Sequence, residues 1–173
     1  MKRFAPLAAL LLLASAPALA AGTQHDVQAE MKKMQEAQAK LMAAMMSEQK
    51  SRLGYKETIA ALTDAAKKRG WEVGPAVDMQ EAMQKAGQKN ARPFTMLTMC
   101  KKDLAESLLK AQVANKAMPF APCRLSVFEG EDGKTYIAKP NTEMMAQMAA
   151  PAFAPLLKKF VEEEKALLAG IAE

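Results

Sequence analysis

Residues 123–139 constrain the fold more than any other part of this 173-residue chain. Residues 123–129 alternate in character, with Leu125 and Val127 on one side. Gly130-Glu131-Asp132-Gly133 reverses the chain, and residues 134–139 read as the returning strand. A hairpin with one apolar face is marginal alone, so it needs more strands beside it and a layer over it. The chain offers both. Residues 94–100, Phe-Thr-Met-Leu-Thr-Met-Cys after Pro93, read as another strand. Residues 71–77 read as extended with a break at Gly74-Pro75. Residues 45–51 fit either a helix end or a short strand.

Helical period fills most of the remainder. Residues 55–69 carry Tyr55, Ile59, Leu62 and Ala66 on one face and end at Gly70, a residue suited to the left-handed position after a helix. Asp78 and Glu81 have the spacing of an N-terminal cap for a short helix over 79–86. Residues 101–113 repeat through Leu104, Leu108 and Leu109. Asn141 caps a short helix reaching Met148, and a last helix spans about 152–169 through Phe153, Leu157, Phe160, Leu167 and Leu168. The order of elements favours an α+β domain with a small antiparallel or mixed sheet and helices packed on one face.

Two segments stand outside that domain. Residues 1–20 have a basic start at Lys2 and Arg3, a short apolar run and Ala18-Leu19-Ala20 before a cut, the layout of a secretory signal peptide. The chain is therefore expected to be exported to a bacterial periplasm, an oxidising compartment. Beyond residue 20 no stretch reaches the roughly 18 apolar residues of a membrane span. Without Lys2 and Arg3, 22 basic residues face 19 acidic ones, a net +3. Charges of both signs mixed along the helices are not a nucleic-acid footprint. Residues 21–45 read as an N-terminal Met-rich amphipathic segment, helical from Asp26, the candidate cap, to about Ala44. Val27, Met31, Met34, Leu41 and Met45 share one face, suited to the domain, to a second copy in a homodimer or to a partner. The domain proper is 46–173.

Five short pieces carry a family likeness. They are Lys56-Glu57-Thr58 with the helix end Lys68-Arg69-Gly70-Trp71; Val77-Asp78-Met79-Gln80; Met99-Cys100 followed by Leu104-Ala105; Pro122-Cys123-Arg124-Leu125 with Asp132-Gly133-Lys134; and Asn141 with Met144 and Met145. Over roughly residues 45–150 the chain resembles the domain-of-unknown-function family 302. The two Cys positions look like those of an exported branch. The resemblance implies an antiparallel sheet similar to the TATA-binding-protein-like fold, often as a dimer. It implies no established reaction and supplies no catalytic residues.

The cysteines are the first candidates for chemistry. Cys100 ends one strand and Cys123 begins another, so neighbouring strands would bring them within reach. A disulfide, two buried thiols, and a reactive or metal-binding pair all remain open; a bridge would stabilise by about 3 kcal/mol. Thirteen of the 14 Met lie beyond residue 20. Thioether and thiolate sulfurs favour Cu(I), so Cys100, Cys123, Met99, Met118, Met144 and Met145 form a candidate soft-metal set. The plainer reading is that Met fills an irregular core and an adaptable face. Arg124, beside Cys123, and Asn141 are the candidate ligand-binding residues; Arg124 could hold an anion, lower the thiol pKa or form a salt bridge. Glu162-Glu163-Glu164 reads as a solvated helix face, and Lys134-Thr135-Tyr136 as exposed hairpin surface.

One His excludes multi-His metal sites, and two Cys exclude a four-thiolate centre within one chain. No phosphate-binding Gly loop, dinucleotide turn or Gly-x-Ser-x-Gly elbow occurs. The expected function is a non-catalytic binding or association module acting on a periplasmic protein or small ligand, with no cofactor. The alternative is a Cu(I)-binding or thiol-redox protein.

Overall fold

The central hairpin forms where the alternation places it, as β5 (Arg124–Glu129) and β6 (Thr135–Pro140) in a sheet that is antiparallel throughout. The computed structural model describes residues 18–173, with side chains from Asp26 onward. The expected export signal lies outside the described residues, apart from Ala18-Leu19-Ala20. The chain divides into two units, Met1–Lys40 and Leu41–Glu173. α1 (Ala18–Ala44) makes up the described part of the first and enters the second. Asp26 thus lies inside a helix rather than capping one. Ala18-Leu19-Ala20-Ala21 are strong helix formers, and the helix runs on from them through Gly22 and Thr23 past the expected cap. Val27, Met31 and Met34 are exposed on it.

In the second unit, β1 (Met46–Lys50) resolves the ambiguity after α1 in favour of a strand. α2 (Tyr55–Lys68) follows, then β2 (Glu72–Val73), β3 (Val77–Asp78) and α3 (Met79–Lys85). β4 (Phe94–Cys100) leads to α4 (Lys102–Ala114), and after β6 come α5 (Thr142–Met148) and α6 (Ala154–Leu168). Spatially the strands run β1-β6-β5-β4, and β2 and β3 share the outer edge of β4. Val73 pairs with Met99 and Val77 with Met96, so the edge gains one residue between its two short strands. Gly74-Pro75 occupies that slip. Pro75 cannot donate to a ladder, and a Cβ on Gly74 would come within 3.3 Å of Thr98.

Alternation sorts the two sheet faces. Leu97, Met99, Leu125, Val127 and Ile137 point one way and form a core with Leu62 and Ala66 of α2 and Leu167 and Leu168 of α6. A second core joins Ala105 and Leu108 of α4, Ala146 of α5, and Leu157 and Phe160 of α6. α6 serves both, which explains its long apolar stripe. On the opposite face Phe94, Phe128 and Tyr136 form a half-buried aromatic row, with centroids 6.2 and 5.7 Å apart.

Local signals work as read. α2 ends with Gly70 at φ +70° while the Trp71 amide reaches back to the Ala66 carbonyl at 2.9 Å, a closing turn that only glycine enters without strain. The Asp78 carboxylate accepts from the Glu81 amide at the start of α3, and the Asn141 side chain accepts from the Met144 amide at the start of α5. One reading is corrected. Thr135 is buried rather than exposed hairpin surface, because its pleat points to the helix-covered face with Ile137. Thr58 is likewise buried, its hydroxyl bonded to Gly54 O at 2.7 Å and to Ser51 Oγ at 2.7 Å, so the inner face of α2 is partly polar.

Candidate functional site

β6 keeps alternating past Ile137, so Lys139 is carried inward at the end of the strand. The chain then turns through Asn141 into α5, which places Thr142 beside it. From the other side, α6 brings Glu164 on its apolar stripe, at helical spacing from Phe160 and Leu167. The three side chains meet. Lys139 Nζ donates to Glu164 Oε2 at 2.8 Å, to Thr142 Oγ1 at 3.3 Å and to Pro140 O at 3.4 Å. The Thr142 hydroxyl donates to the same Glu164 oxygen. The Lys139 and Glu164 side chains are only 12% and 8% exposed. Glu164 is therefore not part of a solvated carboxylate face. Consecutive residues point around the helix, and the third Glu of the run falls on the buried side.

Burial pushes the Glu164 carboxyl above its ordinary value, and Lys139 and Thr142 pull against that rise. All three Lys139 N–H groups have acceptors, which is the full capacity of an ammonium. Among the described residues, Glu164 Oε1 has no hydrogen-bond partner, yet no buried side-chain polar atom is both sealed and unpaired. Oε1 therefore reaches space that solvent can enter.

Glu164 lines a cleft of about 260 Å³ between β1, β6, α5 and α6, with Lys139 and Thr142 in the same wall. Gln49 and Ser47 of β1 and Asn141 also line it. At the rim Lys165 pairs with Glu143 at 2.7 Å and Lys50 with Glu173 at 2.7 Å. Each partner holds its carboxylate below the ordinary range, Lys165 for Glu143 and Lys50 for Glu173. A second chamber of about 10 Å³ adjoins Lys139 and Glu164 beside Trp71, room for about one water molecule.

The residues expected from sequence do not form one site. Cys100 and Cys123 are joined as a disulfide with Cα atoms 4.6 Å apart, because β4 and β5 are neighbours in register. As a disulfide they offer no thiolate. The six sulfur residues are not gathered. Met99 is in the first core, Met118 is 85% exposed, and Met144 and Met145 are on α5. Of these four Met, Met145 alone packs against the second core, as both cysteines do. Arg124 is exposed, makes no ion pair among the described residues, and has no thiol beside it to perturb. Asn141 does reach the cleft, held by its cap and by donation of Nδ2 to Ala44 O at 2.9 Å. Lys139, Thr142 and Glu164 were missed. A charged residue at a buried phase of the stripe or of the alternation was the available signal.

No curated protein matches the chain. A solved structure described as an uncharacterized conserved protein DUF302 from Bacillus stearothermophilus is similar at 25% identity and a TM-score of 0.61. The match covers 72% of this chain and 96% of that one. The family model for the domain of unknown function DUF302 matches residues 47–171, which hold the sheet apart from Met46 and the cleft residues apart from Ala172 and Glu173. On that match, the chain belongs to the DUF302 family.

Proposed function

We propose that the protein is an exported, non-catalytic binding module that holds a small polar ligand in the cleft walled by Lys139, Thr142 and Glu164. One observation carries the reading. A buried charge pair is kept at a cleft with one carboxylate oxygen, Glu164 Oε1, left without a protein partner. Buried ion pairs contribute little net stability, and well-packed apolar residues often do better. A polar group held in such a place and left half-used is suited to recognition. The chemistry supports binding over catalysis. Lys139 has no lone pair or spare N–H, and the two cysteines are tied to each other. The signal-like residues 1–20 support export to the periplasm.

The test is a thermal-shift screen of small polar metabolites on the purified protein, repeated with Gln49→Ala and Ser47→Ala. A ligand of this cleft raises the melting temperature of the parent and raises that of the variants less. Ligands that stabilise all three proteins equally overturn the site. NMR of the ligand after long incubation should show it unchanged, and conversion would overturn the non-catalytic reading. Expression with the natural N-terminus should yield a periplasmic protein beginning at Ala21.

A further inference from the structure

Resting on that reading of the cleft, we infer that its ligand is a small uncharged molecule rich in hydroxyl groups, of the polyol or monosaccharide class. The charges of the cleft point there because they are already matched. Lys139 is held by Glu164 at 2.8 Å, Lys165 by Glu143 at 2.7 Å, and Glu173 by Lys50 at 2.7 Å. An anion entering the cleft finds no free N–H on Lys139, must pull Lys165 from Glu143 to gain a cationic partner, and meets the Glu164 carboxylate, which repels it. A cation can reach Glu164 Oε1, but Lys139 already sits on the other oxygen of that carboxylate and repels it.

The unused valences are those that a hydroxyl answers. Glu164 Oε1 accepts. The Gln49 amide and Ser47 hydroxyl both donate and accept, and neither has a side-chain partner among the described residues. Both are half-buried in the cleft wall. A hydroxyl can donate to Oε1 while accepting from Gln49, and neither step disturbs an ion pair. Leu168, Val161 and Ala169 supply an apolar strip on the α6 side, suited to the C–H face of a polyol. The volume, about 260 Å³, falls just under the roughly 300–1,000 Å³ of sites for drug-sized molecules. It suits a ligand of one ring.

The experiment is an amide-resolved NMR titration of the full purified chain with probes of similar ring size and different charge. They are neutral myo-inositol and glucose, cyclohexylammonium, and cyclohexanecarboxylate. Saturable shifts at the Gln49 and Thr142 amides are expected with a neutral probe and absent with the charged ones. Gln49→Ala, on a strand whose backbone pairing does not need the side chain, should weaken that binding at least fivefold with the remaining spectrum unchanged. Saturation by the ammonium or the carboxylate alone overturns the neutral class while leaving the cleft as a binding site. Saturable shifts confined to other surfaces, or none with any probe, overturn both.

Discussion

Replacing Lys139 with Met tests how the buried network is balanced. Met keeps most of the stem and removes the ammonium, so Glu164 loses its donor at 2.8 Å and keeps only the Thr142 hydroxyl. The single loss from a buried pair costs about 3–5 kcal/mol in general. Here the cost has a ceiling, because Glu164 can escape by taking up a proton. From an ordinary value of 4.5, protonation at pH 7 costs at most about 3.4 kcal/mol, at about 1.36 kcal/mol per pH unit. The sign follows from proton binding. A carboxyl raised in the folded state makes the native protein bind more protons than the unfolded chain between the two pKa values, so stability falls as pH rises through that window. In Lys139→Met the window widens upward. The destabilisation relative to the parent should be about 3 kcal/mol at pH 7 and shrink to about 1 kcal/mol at pH 5. Urea unfolding at pH 5, 6 and 7 measures it, with the single and buried Trp71 as the fluorescent probe. The triple variant Lys139→Met, Thr142→Val, Glu164→Leu, which leaves no member of the network unpaired, should unfold within about 1 kcal/mol of the parent, or later. A single-variant loss below about 1 kcal/mol at pH 7, or one that does not shrink toward pH 5, refutes the account of Glu164 as a desolvated carboxylate held by Lys139.

Three further predictions concern the frame around the cleft. The Cys100–Cys123 bridge closes a separation of 23 residues, so reduction or the double Ser variant should lower stability by about 3 kcal/mol on the loop-entropy model; an unfolding midpoint insensitive to reductant would contradict it. Asn141→Ala removes the cap of α5 and the contact with Ala44, and should cost about 1 kcal/mol by urea titration without changing the m-value. Acid should weaken the exposed pairs. The carboxyls of Glu143 and Glu173, held low by Lys165 and Lys50, and that of Asp132, held low by the Lys134 amide, contribute stability above their ordinary values and lose it as pH falls through their folded ones. The isosteric Glu143→Gln, which removes the titrating carboxyl, should therefore flatten the acid limb of the stability curve, and an unchanged limb would remove Glu143 from that account.

Much of the frame was legible because local physics specifies it. The hairpin follows from alternation and a Gly-bounded turn, the end of α2 from Gly70, and the starts of α3 and α5 from Asp78 and Asn141. Each depends on groups only a few residues apart. The start of α1 is not legible in this way, because a polar residue in a helical run can mark a cap or lie mid-helix, and Asp26 lies mid-helix. The edge of β4 was legible only as extended chain. Its one-residue slip depends on how Gly74 meets Thr98, a contact with a strand 24 residues away.

The candidate site divides in the same way. Periods of 3.6 and 2 set Glu164 in phase with Phe160 and Leu167 on α6 and Lys139 in phase with Ile137 on β6, although by charge alone the Glu run reads as a solvated face. The sequence by itself also placed Asn141 at a helix start and made Cys100 and Cys123 available to each other if their strands were neighbours. Only the tertiary structure decided which inward residues meet. The order β1-β6-β5-β4 joins the cysteines, and α6 laid across both cores sets Glu164 against Lys139 and Thr142 at the mouth of a cleft. Periodicity acts within one element. A buried carboxylate finds its cation through the packing of elements distant in the chain, and there the cost of an unpaired charge selects the partner.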